Sequence, residues 1–284
     1  MNLEYFDESL KLISYCGTTL GPEMKTIIES SLTALQGDHK LTNMFFWGRI
    51  NGIEEDYYVA YGYTMDCLRK RRFFYSTNGY NWFLMPEVNP ELNEACLVCT
   101  EMFNGDPTMF IDVTLDPQFT IDENQLIYAT KPEIVRIKEE DRLACTVTLI
   151  TEESALIPHG GLYKQVDKTF IYNPLFHGLN EIEAADLSNY QLYREPQTSW
   201  NHNLLRRVQY KYPIDCLDTP NDILPDENGF SLTLANHGRL VLIRSLLWPG
   251  MYFFHKVDSR KHGFCYFGAG KKNFDLLFML DEVK

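Results

Sequence analysis

Between positions 42 and 84 the chain alternates aromatic-rich apolar runs with strong turn signals, and no other feature restricts its fold as much. Met44-Phe45-Phe46-Trp47-Gly48-Arg49-Ile50 leads through Asn51-Gly52 to Asp56-Tyr57-Tyr58-Val59-Ala60-Tyr61. Short runs of aromatic and β-branched residues around an Asn-Gly turn read as a β-hairpin, here with its loop lengthened by Glu54-Glu55. A second hairpin follows: Arg72-Phe73-Phe74-Tyr75, the turn Asn78-Gly79, then Tyr80 to Leu84. Gly48 inside a strand marks a bulge or a close approach of two backbones.

The rest of the chain divides around these hairpins. Over positions 7–36, apolar residues such as Leu10, Ile13, Leu20, Ile28, Leu32 and Leu35 recur at helical spacing, broken by Gly17 and Gly21-Pro22. This predicts two short helices ending before Gly37. A helix is expected over 90–102, strand pieces over 109–115 and 125–129, and a buried helix over 138–153 with Leu143, Val147 and Ile150 on one face. Positions 155–158 read as a strand entering the Gly160-Gly161 turn. Asn180-x-x-Glu183 is a capping pattern ahead of a short helix near 184–193. The proline-punctuated stretch 194–229 reads as a long surface excursion. From Phe230 onward, apolar runs at 231–235, 240–247, 251–257 and 263–268 form a β-meander. The expected fold class is α+β: mainly antiparallel β-hairpins and a C-terminal β-meander with packed helices, after an N-terminal helical segment. Residues 1–40 make that segment and 41–284 a single α+β domain.

Composition excludes some functions. With 45% hydrophobic and 14% aromatic residues over 284 positions, a large core is available and a disordered polar chain is excluded. A net charge of −13 argues against nucleic acid and anionic membrane as partners, since both require a basic face. Arg69-Lys70-Arg71-Arg72 is a local exception, read as a solvated turn or as a docking patch for an acidic partner. No run of about 18 apolar residues suggests a membrane span, and the opening residues lack the pattern of a signal peptide. Seven scattered cysteines read as reduced thiols of a cytoplasmic protein.

Motifs that carry chemistry are incomplete. Pro158-His159-Gly160-Gly161 is shaped like an esterase oxyanion loop, but no serine stands in a Gly-x-Ser-x-Gly elbow. Cys96-x-x-Cys99 has metal or redox spacing, but a structural zinc needs a second ligand pair, so packed thiols are expected. Gly268-Ala269-Gly270-Lys271-Lys272 lacks the outer glycine and the Ser/Thr of a phosphate loop. No catalytic residue, metal ligand or cofactor site is expected.

Several segments do resemble a known family. Phe46-Trp47-Gly48-Arg49-Ile50 with Asp56-Tyr57-Tyr58-Val59-Ala60 is similar to the signature of the radial spoke head protein family of cilia and flagella. So is Ile137 to Leu143 running into Leu156-Ile157-Pro158-His159-Gly160-Gly161-Leu162, as are Gly105-Asp106-Pro107 and Arg194-Glu195-Pro196. Arg244 to Gly250 and Asn273-Phe274-Asp275-Leu276 through Leu280 complete a colinear set. Membership would imply a non-catalytic structural subunit of the axonemal radial spoke head, supporting spoke assembly and signalling from the central pair to dynein. The resemblance implies other radial spoke head proteins as partners, especially the larger homologous head proteins 4 and 6, and central-pair projections indirectly.

Phe46, Trp47, Gly48, Tyr57, Tyr58, Trp248, Phe274 and Phe278 are the candidate interface residues, because large aromatics suit a core or an interface. Residues 44–61 and 240–257 are expected to help form a pseudo-symmetric contact with a larger head protein. The apolar end, 274–280, is expected to dock on this domain or on a partner. The competing expectation is a soluble enzyme or small-molecule-binding domain, which a pocket with convergent polar groups would favour.

Overall fold

The first hairpin is built from β1 (Asn43–Ile50) and β2 (Tyr57–Tyr63), antiparallel, with a register shift between Phe46 and Gly48. β3 (Arg72–Ser76) and β4 (Phe83–Leu84) extend it, so both expected hairpins form as one meander. The structure, a computed structural model, describes residues 1–115, 119–121, 127–129, 133–197, 211–220 and 229–276. Ahead of the meander lie α1 (Phe6–Ile13) and α2 (Pro22–Asp38), two helices as the periodicity predicts. α2 runs two residues past the expected stop before Gly37.

The middle of the chain departs more from expectation. The helix expected over 90–102 is only a 3-10 turn, Pro90–Leu92, and α3 (Asn93–Val98). Val98 and Met102 are exposed, so a longer helix would have no apolar face to bury. β5 (Phe110–Leu115), β6 (Phe119–Ile121), β7 (Ile127–Ala129) and β8 (Glu133–Lys138) form two small antiparallel pairs, β5 with β8 and β6 with β7. Positions 125–126 of the expected second piece lie outside the described residues. β8 runs directly into α4 (Glu139–Ser154), the expected buried helix.

β9 (Leu156–Pro158), β10 (Leu162–Lys164) and β11 (Phe170–Tyr172) follow, the last two pairing around a turn. Asn180 and Glu183 form a reciprocal capping box, but the helix it opens, α5 (Glu181–Ala184), is a single turn. The expected helix near 184–193 gives way to β12 (Tyr190–Leu192), which is buried and pairs with β9. Tertiary pairing overrides local helical spacing there. The reading of 194–229 as a surface excursion is also corrected in part. Asp215, Leu217, Asp218 and Thr219 are buried, whereas 198–210 and 221–228 lie outside the described residues.

The expected meander closes the fold as β13 (Phe230–Ala235), β14 (Leu240–Ser245), β15 (Met251–Lys256) and β16 (His262–Gly268). The two meanders are one sheet of eight strands, ordered β13-β14-β15-β16-β1-β2-β3-β4. All neighbours are antiparallel except β1 and β16, which run parallel and pair Gly48 with Tyr266. A Cβ at Gly48 would stand 2.1 Å from the Tyr266 carbonyl oxygen. Only glycine lets the two halves join here, as the close-approach reading of Gly48 anticipated.

Each face of the sheet carries a core. α1 and α2 cover one, where Phe6, Leu10, Ile13, Ile28 and Leu32 meet Phe46, Tyr58, Phe74, Leu242 and Phe254. α4, β9, β10, β11 and β12 cover the other, which holds Trp47, Tyr57, Tyr61, Val147, Ile150, Trp248 and Tyr266. The N-terminal helices thus share a core with the sheet. Met1 seals the joint, its amino group donating to the carbonyls of Phe46 (2.6 Å) and Phe264 (3.0 Å). No helix among the described residues is long and apolar enough to cross a membrane.

Candidate functional site

Helix α4 gathers the polar tips of the signature aromatics. At its first residue the Glu139 carboxylate accepts from the Tyr57 hydroxyl (2.7 Å) and from the backbone N–H groups of Asn104 (3.0 Å) and Gly105 (2.8 Å). Next to it, Glu140 accepts from the Tyr75 hydroxyl at 2.8 Å. At the far end Thr151 accepts from the Trp47 indole at 2.9 Å, and Glu153 from the Trp248 indole at 2.6 Å. Acidic residues at a helix start suit the helix dipole, which places Glu139 and Glu140 well. A fully buried carboxylate is tolerated because three donors converge on it. Burial and the adjacent Glu139 push the Tyr57 hydroxyl far above its ordinary range, so it keeps the proton that it donates to Glu139.

Two joints result. In the first, the segments around Tyr57, Gly105 and Glu139, remote in sequence, meet at one buried carboxylate. Gly105 has φ +104 and its missing Cβ makes room for the Glu55 backbone, 2.6 Å from where that atom would stand. In the second, the Trp248 loop meets the C-terminal segment. Lys272 bonds Glu153 at 2.8 Å, and the Asn273 N–H donates to the Leu247 carbonyl at 2.8 Å. Leu276 is buried in the main core beyond them.

Of the two uses expected for the candidate aromatics, core or interface, burial puts most of them in the core of this chain. Trp47, Tyr57 and Trp248 point into the core under α4, while Phe46 and Tyr58 point into the core under α1 and α2. Strands β1, β2, β14 and β15, which carry 44–61 and 240–257, are bonded along both edges to strands of this same chain. Phe274, 58% exposed, remains open to a partner, and Phe278 lies outside the described residues. Glu139, Thr151 and Glu153, which complete the joints, escaped the sequence reading. Nothing in a lone Glu-Glu-Asp-Arg run tells which carboxylate points inward.

Other motifs settle as structural parts. The His159 imidazole contacts the buried Asp215 carboxylate, which also accepts from the Lys211 N–H at 2.6 Å, so Pro158-His159-Gly160-Gly161 is a clamped turn. In the basic run, Arg69 pairs with Glu195 and Arg71 stacks 4.8 Å over the Tyr193 ring. Among the described residues, no three His, Cys, Asp or Glu side chains stand together as a metal site would need. A cleft of about 620 Å³ opens between the N-terminal turn, β11 and the β15–β16 turn. Phe45, Tyr172, Phe176 and His262 supply its aromatic wall, and Asn2 and Arg260 polar groups.

The family model described as "Radial spokehead-like protein" matches residues 2–66. Radial spoke head protein 9 homolog of Bos taurus is 34% identical over 280 residues, covering 99% of this chain and 100% of the bovine protein. The proteins of that name from Homo sapiens and Danio rerio are also 34% identical, covering 96% and 99% of this chain and 97% and 100% of their own. The similarity thus runs through both joints and across both halves of the sheet, and the chain belongs to the radial spoke head protein 9 family.

Proposed function

We propose that this chain is a non-catalytic structural subunit of the axonemal radial spoke head, which supports spoke assembly and helps relay central-pair signals to the dynein arms. The observation that carries the reading is the full-length similarity to radial spoke head protein 9 homologs. A stiff architecture supports it: one sheet joins both ends of the chain, and a single helix ties four aromatic side chains of that sheet and its loops by hydrogen bonds. A relay element needs such stiffness, because a load is transmitted only through parts that do not yield. The neighbours in this reading are other radial spoke head proteins, the larger heads 4 and 6 foremost. Among the described candidate aromatics, exposed Phe274 is the contact offered. A permanent contact of this kind has an apolar centre and resists salt.

The test is purification of tagged protein from cilia, followed by identification of what stays bound through a salt series. Retention of the larger head proteins at high salt is expected. A tagged chain found outside the axoneme, or released from the spoke at modest salt, overturns the reading. The aromatic cleft favours a second reading, a small-molecule-binding domain. Thermal shift of the purified chain against planar aromatic compounds decides that one, and a flat response removes it.

A further inference from the structure

We propose that the outer edge of β8 is a docking site for an extended strand of another protein, one that carries an acidic and an apolar residue two positions apart. Among the described residues β5 and β8 make a sheet of only two strands, and so do β6 and β7. The two pairs keep one register. Leu115 stands opposite Glu133 where the first ends, and Phe119 opposite Ala129 four positions further along each strand. A ribbon of two strands is marginal alone, and each open edge is a template for a further strand.

Packing within the chain decides which edge is on offer. Ile111, Val113 and Ile137 close one face of the ribbon, buried with Ala95 and Cys96 of α3, which lies against β5. That leaves the β8 edge open among the described residues. The Glu139 N–H donates to the Met109 carbonyl at 2.8 Å, which continues the ladder one pair beyond Phe110 and Lys138 and fixes its phase. Bonded and non-bonded pairs alternate from there. Val135 and Ile137 therefore bond inward to β5, whereas Ile134 and Arg136 turn their N–H and C=O groups outward. The same two residues expose their side chains, Ile134 at 68% and Arg136 at 69%.

Charge selects the occupant. The Arg136 guanidinium lies 3.8 Å from Asp112 and 4.8 Å over the Phe110 ring, an exposed pairing that is cheaply exchanged. Lys138 beyond it is held by Glu140. A strand laid along β8 places side chains two positions apart beside Ile134 and Arg136, where apolar and acidic partners are the favourable ones. A second copy pairing through the same edge about a two-fold axis would instead bring two Arg136 side chains onto one short edge, a like-charge contact.

The test follows backbone amide exchange of β8 in the full chain by NMR while a blocked Val-Thr-Glu-Thr-Val peptide is added, with Val-Thr-Lys-Thr-Val as its counterpart. In the free chain the Ile134 and Arg136 amides should exchange fast, and those of Val135 and Ile137 slowly. The glutamate peptide should slow Ile134 and Arg136 by about tenfold and leave the other two unchanged, whereas the lysine peptide should slow neither. Arg136→Glu should reverse the preference between the peptides. Ile134→Pro deletes one outward donor and none of the bonds to β5, so binding should weaken by about tenfold. Should that variant also expose the Val135 and Ile137 amides, the hairpin is lost and Arg136→Glu alone decides. No slowing with either peptide, equal slowing by both, or slow exchange of Ile134 and Arg136 in the free chain overturns the proposal. Slowing that needs no peptide and grows with protein concentration gives the edge to a second copy, and overturns it too.

Discussion

The Tyr57 hydroxyl and the Glu139 carboxylate, 82 positions apart, share a 2.7 Å hydrogen bond in the centre of the molecule. Because Glu139 also accepts from the Asn104 and Gly105 backbone, it can lose a single donor more easily than its charge. Tyr57→Phe should cost about 1–1.5 kcal/mol, the worth of one buried hydrogen bond. Glu139→Gln should cost more, roughly 3 kcal/mol, since an amide NH₂ would face backbone donors or leave them unpaired. Urea unfolding of both variants and the double variant measures this. Equal costs would show that the carboxylate does not organise the joint.

Gly48 offers a sharper test. Gly48→Ala puts a Cβ against the Tyr266 carbonyl and must part β1 from β16, so a loss of about 3 kcal/mol or outright misfolding is expected. Gly37→Ala is the control. That glycine lies in α2 with open space where its Cβ would be, and alanine should be neutral or stabilise by about 0.5–1 kcal/mol. Thermal melts should fall for Gly48→Ala and stay level or rise for Gly37→Ala.

The C-terminal clasp should be needed for a well-behaved subunit. Ending the chain after Gly270 removes the Lys272 partner of Glu153 and the Asn273 bond to Leu247, and withdraws Leu276 from the core. Aggregation or exclusion from the spoke head is expected, read by gel filtration and by incorporation into axonemes. Normal incorporation would limit the clasp to a minor role.

Acid should destabilise the fold through His255. This imidazole is fully buried and accepts from the Leu179 N–H at 3.1 Å through Nε2, an atom that must stay unprotonated. Burial, with His262 beside it, lowers its pKa from 6.5 to about 3. The unfolded chain takes up a proton near pH 6.5 that the folded protein refuses until about pH 3, so lowering the pH through that window favours unfolding. The loss should approach about 1.4 kcal/mol per pH unit from this group alone. His255→Gln, which keeps an acceptor and cannot titrate, should flatten the slope between pH 6 and 4 by about one proton in a denaturation series.

Period, turn chemistry and glycine placement, read from the sequence alone, determined a great deal here. They located the two hairpins, the closing meander, the N-terminal helices, buried α4 and the Asn180–Glu183 cap, because each depends on contacts between near neighbours. Gly48 was legible as a close approach since a glycine inside an aromatic strand has few other uses. The sequence could not tell that the two meanders are one sheet, because the parallel pairing of β1 with β16 spans more than 200 positions and leaves no local mark. Tyr190–Leu192 became a strand rather than a helix because β9 was there to pair with it. The destination of the signature aromatics was likewise a tertiary decision. A tryptophan reads the same in a core and at an interface, and only the arrival of Thr151 and Glu153 beneath the indoles of Trp47 and Trp248 turned them inward.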